Sequence, residues 1–190
     1  MVRMVIFASG SGTNAENIIR YFRKDKGVDI TYVLSNNPKA GVLDRAKRLG
    51  IEAKVFTKKE MSSPEFLNFL KENADIIILA GFLLKVPECI INNYSDAIVN
   101  IHPALLPKYG GKGMYGMHVH EAVVENKEKQ SGITIHWVNE NYDEGAILFQ
   151  KTVELDKGET PDSLATKIHQ LEYDYFPKVI EDVLKSKHEN

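Results

Sequence analysis

Apolar residues follow two rhythms along this chain. Runs of strand length occur at Val2 to Ala8, Ile30 to Leu34, Glu52 to Phe56, Asp75 to Ala80 and Ala97 to His102. Between them, apolar positions recur at helical spacing. Asn14 to Lys26 carries Ala15, Ile18, Ile19 and Phe22 on one stripe, and Gly41 to Leu49 reads as a helix stopped by Gly50. Ser63-Pro64 opens a helix containing Phe66, Leu67, Phe69 and Leu70, and Pro87 starts a short one. The run Ile76-Ile77-Ile78-Leu79 is apolar on both faces, which suits a parallel sheet covered by helices on either side.

Beyond His102 the rhythm changes. Ile133 to Val138 and Ala146 to Val153 are strands joined by the polar stretch Asn139 to Gly145, close enough in sequence to pair antiparallel. Thr160-Pro161 is an N-cap with proline at the first helical position, opening a long helix toward Leu184. The tail Lys185 to Asn190 is polar and frays. The expected fold is α/β: a three-layer Rossmann-like open sheet with a parallel N-terminal half and an antiparallel C-terminal hairpin. It forms a single domain over 1–190, with 1–102 as the parallel nucleotide-binding half and 103–190 as lid, hairpin and final helix.

Composition narrows the chemistry. With 190 residues, 43% hydrophobic and 26% charged, the chain is ordinary globular sequence. A net charge of -2 argues against partners held by basic excess, so neither nucleic acid nor an anionic membrane is expected. The lone Cys89 excludes a disulfide framework and a thiolate metal cluster. No apolar run reaches the ~18 residues of a membrane span. Met1 to Ile6 lacks a small-residue cleavage site, so it does not read as a signal peptide and a reduced cytoplasmic compartment is expected.

Ligands of open α/β sheets bind beyond the carboxyl ends of the strands, and three stretches stand there. In Ser9-Gly10-Ser11-Gly12-Thr13-Asn14-Ala15, glycines permit a tight turn and helix N-terminal amides attract a phosphate; the plainer reading is a turn capped by Thr13 or Asn14. Gly10, Gly12 and Ala15 also fit a loose dinucleotide pattern. That pattern wants an acid after the second strand, where the chain reads Leu34-Ser35-Asn36-Asn37, so a single phosphate group fits better.

The second stretch, Asn100-Ile101-His102-Pro103, places an amide and an imidazole two apart on a strand end, hence on one face. Such a pair can stabilise an oxyanion and shuttle a proton. A lone strand-end histidine is more often structural, but a glycine-rich loop follows, with Gly110, Gly111, Gly113 and Gly116 between Lys108 and Met117. It reads as a mobile lid or as an irregular connector. The third is Asp143, which in isolation is a turn-former. His118, His120, His136, His169 and His188 are scattered; His118 and His120 have metal-like spacing but no third ligand, so no metal is expected. Arg23 to Lys26 and Lys58-Lys59 read as solvated charge.

Four of these segments in order, Ser9 to Asn14, Leu79-Ala80-Gly81-Phe82, Asn100 to Pro107 and Tyr142 to Leu148, resemble the glycinamide ribonucleotide transformylase family of formyltransferases. The resemblance runs from the first strand to the last helix. It implies transfer of a formyl group from 10-formyltetrahydrofolate, a co-substrate, to the amine of glycinamide ribonucleotide in de novo purine synthesis, without a metal. Methionyl-tRNA formyltransferases look similar around the Asn-His segment but carry an RNA-binding domain, and formyltetrahydrofolate hydrolases a regulatory one. Neither extension is expected here.

By that resemblance Gly12, Thr13 and Asn14 hold the ribonucleotide phosphate and Glu172 contacts the glycinamide nucleotide. Leu83, Leu84, Lys85 and Val86 line one side of the pterin, and Asn139, Glu140, Asn141, Tyr142 and Asp143 the other. Asn100, His102 and Asp143 form the catalytic set, with Asn100 and Asp143 also touching the folate. The lid looks longer than the commonest form, and an arginine that some members use toward the folate tail is missing, with Lys58 or Lys59 as stand-ins. The implied mechanism has an imidazolium His102 whose charge is favoured by Asp143. The partners are small molecules and the assembly a monomer or homodimer. Two other readings remain open: an NAD(P)-dependent oxidoreductase, and a non-catalytic nucleotide-binding protein.

Overall fold

A computed structural model describes residues 1–23 and 27–188. Of the expected charge run Arg23 to Lys26, residues 24–26 lie outside the described residues, as do the last two residues of the polar tail, while Arg23 is exposed and donates to the Leu49 carbonyl at 2.6 Å. The chain divides into two compact units, Met1–Asn100 and Ile101–Asn190.

The first unit is built on strands β1 (Val2–Phe7), β2 (Val28–Ser35), β3 (Glu52–Val55), β4 (Ile76–Leu79) and β5 (Ile98–His102, whose last two residues belong to the second unit). They lie in the order β3-β2-β1-β4-β5, every neighbouring pair parallel. Every residue of β4 is buried, as a strand covered on both faces requires. Helix α1 (Thr13–Phe22) buries Ala15, Ile18, Ile19 and Phe22, the stripe read from the sequence. Helix α2 (Gly41–Arg48) buries Val42 and Ala46.

Two local signals set the next helices. Thr57 and Glu60 form a reciprocal capping box that nucleates the one-turn α3 (Lys58–Met61), which periodicity does not reveal in so short a segment. Ser63 accepts from the amide of Phe66 and Pro64 fills the first position of α4 (Pro64–Asn73). A further single turn, α5 (Glu88–Ile91), follows Pro87. Phe7, Phe56, Phe66 and Phe82 pack ring to ring around the carboxyl end of β1, with centroids 4.9 to 6.3 Å apart.

The order of the strands makes the chain leave β1 toward β3 and then return to the other side of β1 at β4. The carboxyl ends of β1 and β4 therefore flank a reversal of winding, the place where open α/β sheets bind ligands.

The second unit holds α6 (Met117–Glu125), the antiparallel pair β6 (Gln130–Trp137) and β7 (Ile147–Glu154), and the long α7 (Pro161–His188). The hairpin is thus antiparallel as its closeness in sequence predicts. Helix α6 is an element that the sequence reading did not give: Met117-His118-Val119-His120, just after the glycine-rich loop, is its first turn. Helix α7 opens at Thr160, whose Oγ1 accepts from the amide of Ser163 at 3.2 Å. It runs through the buried Pro177, where local propensity favours a break. Phe176, Val179 and Ile180 are buried around that proline, so packing outweighs the lost backbone bond.

Candidate functional site

In the first unit, the loop after β1 is fastened at every turn. The Gly10 carbonyl accepts from the Val42 amide at 3.1 Å, and the Ser11 carbonyl from Arg45 Nε at 2.7 Å. Arg45 also pairs with Glu16 in the first turn of α1. The helix begins earlier than a Thr13 or Asn14 cap would allow. Its N-cap is Gly12, at φ 79°, without a side-chain cap bond. A Cβ at Gly12 would fall 2.3 Å from Val42 Cγ2 and 2.7 Å from Val42 Cα, so only glycine fits both the left-handed backbone and the space. The first-turn amides of such a helix have no intrahelical acceptor and carry the positive end of the dipole. That arrangement suits an anion.

Gly12→Ala is therefore expected to strain the backbone and overpack against Val42. The expected cost is about 2 kcal/mol or more of stability, read as a lower urea midpoint at unchanged slope. An unchanged midpoint would mean that the loop relaxes freely. The variant is consequently a poor probe of ligand binding, because it damages the fold first.

The position where a dinucleotide site needs its acid holds Asn36, which accepts from Ser9 Oγ at 2.6 Å. The same Ser9 oxygen accepts from the Leu83 amide at 3.0 Å, and the Ser9 amide donates to the Gly81 carbonyl. One serine thus ties the first loop to the loop after β4, where Leu83, Leu84 and Lys85 stand. Leu83 is exposed while Val86 is buried in the core. Asn100 closes the first unit on β5, beside Leu79 of β4.

In the second unit the residues converge. His102 is 3% exposed, and its Nδ1 stands 3.6 Å from Asp143 Oδ2. Its Nε2 lies 2.7 Å from the Tyr109 carbonyl, which can only accept, so Nε2 carries the proton. On the other side of Asp143, His136 Nε2 is 3.6 Å from Oδ1, while His136 Nδ1 donates to the Trp137 carbonyl at 2.8 Å. Two imidazoles, each with its far nitrogen bonded to a backbone carbonyl, therefore face one carboxylate.

Asp143 sits in the turn between β6 and β7 with φ 56°, and its Oδ2 also accepts from the Gly111 amide at 2.9 Å. Burial by itself would raise its carboxyl; His136, the charge of His102 and the Gly111 amide outweigh that and hold it below the usual range. Gly145 makes the turn possible, because a Cβ there would lie 1.6 Å from the Trp137 carbonyl oxygen.

The expected imidazolium at His102 needs correction. Burial, the largest influence, pushes its pKa below the ordinary histidine value, and the opposing pull of Asp143 and Tyr109 does not make up the difference. At rest His102 is mainly neutral at pH 7.

Two more histidines, scattered in sequence, also find places. Glu172 on α7 is 5% exposed, and its Oε2 lies 2.9 Å from His169 Nδ1, which raises the His169 pKa. His120 on α6 is buried, with no hydrogen-bond partner at Nδ1, and burial lowers its pKa. His118, two residues away on a helix, points elsewhere and pairs with Glu121 at 3.4 Å. The metal-like spacing is thus a strand pattern on a helix. Among the described residues no three His, Cys, Asp or Glu side chains are grouped to hold a metal ion. Asn139, Glu140, Asn141 and Tyr142 are exposed on the turn leading to Asp143, where the Asn139 side chain accepts from the Asn141 amide at 3.0 Å.

Sequence reasoning missed His136 and the Tyr109 carbonyl. Neither had a usable signal: His136 is one of several polar residues in β6, and its burial beside Asp143 arises only on folding, while the Tyr109 carbonyl is a backbone atom.

Comparison with known proteins finds relatives along almost the whole chain. A family model described as formyl transferase matches residues 2–180. A chloroplastic phosphoribosylglycinamide formyltransferase of Arabidopsis thaliana is 36% identical over 94% of this chain. The chain spans 64% of that protein and 62% of its Vigna unguiculata counterpart, under two thirds of each. The phosphoribosylglycinamide formyltransferase of Bacillus subtilis is 30% identical, over 97% of this chain and 95% of its own. Among solved structures, glycinamide ribonucleotide transformylase 1 from Geobacillus kaustophilus superposes with a TM-score of 0.87 at 34% identity, over 97% of this chain and 99% of that one. The α/β fold is theirs, and with its sequence matched almost end to end, this chain belongs to the formyl transferase family.

Proposed function

We propose that this chain transfers a formyl group from 10-formyltetrahydrofolate to the amine of glycinamide ribonucleotide, in purine biosynthesis. The observation that carries the reading is His102 held against Asp143 at 3.6 Å, in a chain of formyl transferase sequence. In this reading 1–190 acts as a single formyltransferase domain, working on small molecules in the cytoplasm as a monomer or homodimer, without nucleic acid, membrane or metal. Among the described residues no helix is long and apolar enough to cross a membrane.

The residues divide the work. The amides around Gly12, Thr13 and Asn14 bind the ribonucleotide phosphate, and Glu172 takes the glycinamide end. The pterin lies against Leu83, Leu84, Lys85 and Val86, with Asn139, Glu140, Asn141, Tyr142 and Asp143 as its other wall. The amine attacks the formyl carbon, a C–N bond forms, and the carbonyl electrons move onto oxygen. The Asn100 amide donates to that oxyanion. The attacking nitrogen then holds one proton too many, and the departing folate nitrogen needs one. His102, neutral at rest, accepts the first and supplies the second as the C–N bond to folate breaks, so no proton is gained or lost overall. Asp143 stabilises the imidazolium formed in between.

The test is a formyl-transfer assay with glycinamide ribonucleotide and 10-formyl-dideazafolate, following the absorbance of the folate product. Absence of product at saturating substrates would overturn the reading.

The phosphate assignment has its own check on the ligand side. Glycinamide riboside, lacking the phosphate, should bind roughly 10- to 100-fold more weakly by calorimetry, the loss of charge-assisted bonds worth about 1.5–3 kcal/mol. Equal affinities would remove the phosphate from the first loop.

A further inference from the structure

The imidazole of His102 is not free to choose its tautomer, and the group that decides it is anchored far from the histidine in sequence. The Tyr109 carbonyl is 2.7 Å from Nε2. Tyr109 is a non-glycine residue at φ 56°, a conformation that persists only where surroundings hold it. Its own side chain ties it down: the hydroxyl donates to Glu128 Oε1 at 2.8 Å, just before β6, and is also hydrogen-bonded to the Asn126 side chain. Glu128 Oε1 also accepts from Lys108 Nζ at 3.0 Å. Those two donors, Lys108 first, keep the Glu128 carboxyl below its usual range, so it stays an acceptor. Burial, and then Glu128, raise the Tyr109 phenol, so it stays a donor.

The strap continues into Gly110 and Gly111. A Cβ on Gly110 would fall 3.3 Å from the Asp143 Cβ, and the Gly111 amide donates to Asp143 Oδ2. One short segment thus sets both members of the His102–Asp143 pair.

We propose that Glu128 is a positioning residue which, by anchoring Tyr109, locks the proton on His102 Nε2 and leaves Nδ1, the nitrogen facing Asp143, to exchange protons. The inference rests on the shuttle role given to His102 above. With Nε2–H committed to a carbonyl, the neutral ring turns its Nδ1 lone pair toward a carboxylate. A proton arriving at Nδ1 converts that repulsion into an ion pair. In the reaction an N–H bond of the attacking amine breaks as Nδ1–H forms; Nδ1–H then breaks as the folate nitrogen takes the proton and loses its bond to the formyl carbon. The other titratable groups near the ring are His136 of β6, His120 of α6 and Glu172 of α7.

The experiment is ¹⁵N NMR of histidine-labelled full-length chain across pH, beside the steady-state pH profile, for wild type, Tyr109→Phe, Glu128→Ala and Glu128→Gln. Wild type should show the Nε2–H tautomer alone. Tyr109→Phe and Glu128→Ala should show mixed tautomers and a lower His102 pKa. Their kcat should fall about tenfold with KM within a few-fold, a portion of what general acid–base catalysis contributes. Glu128→Gln keeps an oxygen for the tyrosine hydroxyl and should recover part of the loss. A single tautomer and an unmoved pH profile in both loosened variants would overturn the proposal. The tautomer is read without substrate, so a wild-type chain that fails the formyl-transfer assay while its tautomer responds to Glu128 would sink the shuttle role and not the positioning.

Discussion

His102→Ala should lower turnover by roughly 10²- to 10⁴-fold, the usual contribution of a positioned proton-transfer group. Both substrates should still bind within a few-fold of wild type. A ring that takes up charge only as the tetrahedral species forms adds little to ground-state binding, so the loss falls on kcat and on kcat/KM alike. Circular dichroism and a thermal melt belong with the kinetics, because the ring is buried and its removal leaves a cavity beside Asp143. Turnover unchanged in a folded variant would take His102 out of the mechanism.

Asp143→Asn should be nearly as damaging, and its pH signature separates it from a structural lesion. The His102 pKa already lies below the ordinary value because burial outweighs the carboxylate. Removing the negative charge removes an influence that raises it, so the pKa should fall further. The protonated ring exists below that pKa and is lost as pH rises through it, so the kinetic limb belonging to His102 moves to lower pH. Histidine NMR on the two proteins measures this directly, and a His102 pKa that stays put would return Asp143 to the role of a turn residue.

Stability should shift as well. The folded Asp143 carboxyl is depressed. It therefore contributes stability that is present above its unfolded pKa and lost as pH falls through its folded pKa. Asp143→Asn lacks that contribution, so the gap between the two urea midpoints should narrow on the acid side.

Much of the fold is legible in the sequence. The stripe Ala15, Ile18, Ile19 and Phe22 faces the core because apolar periodicity is local information. The all-apolar β4 is a central strand for the same reason. Ser63-Pro64 and Thr160-Pro161 open helices because capping is a matter of neighbouring atoms.

Other features were not readable in that way. A helix over Met117–Glu125 lacks an N-cap side chain, and its glycine-rich approach looks like open loop. Pro177 contradicts its own helix until the packing around it is known. His136 was one histidine among several until the β6–β7 turn, through Gly145, carried Asp143 back to it.

By itself, then, the sequence determined the order and type of most elements and the tight glycine turn at Gly12, because each depends on atoms a few positions apart. Only the tertiary structure decided the surroundings of His102 and Asp143. The burial of His102, the carbonyl of Tyr109 on its Nε2 and the distance to Asp143 arise between segments 7 to 41 residues apart. A pKa reports surroundings in space, and those exist only once the chain has folded.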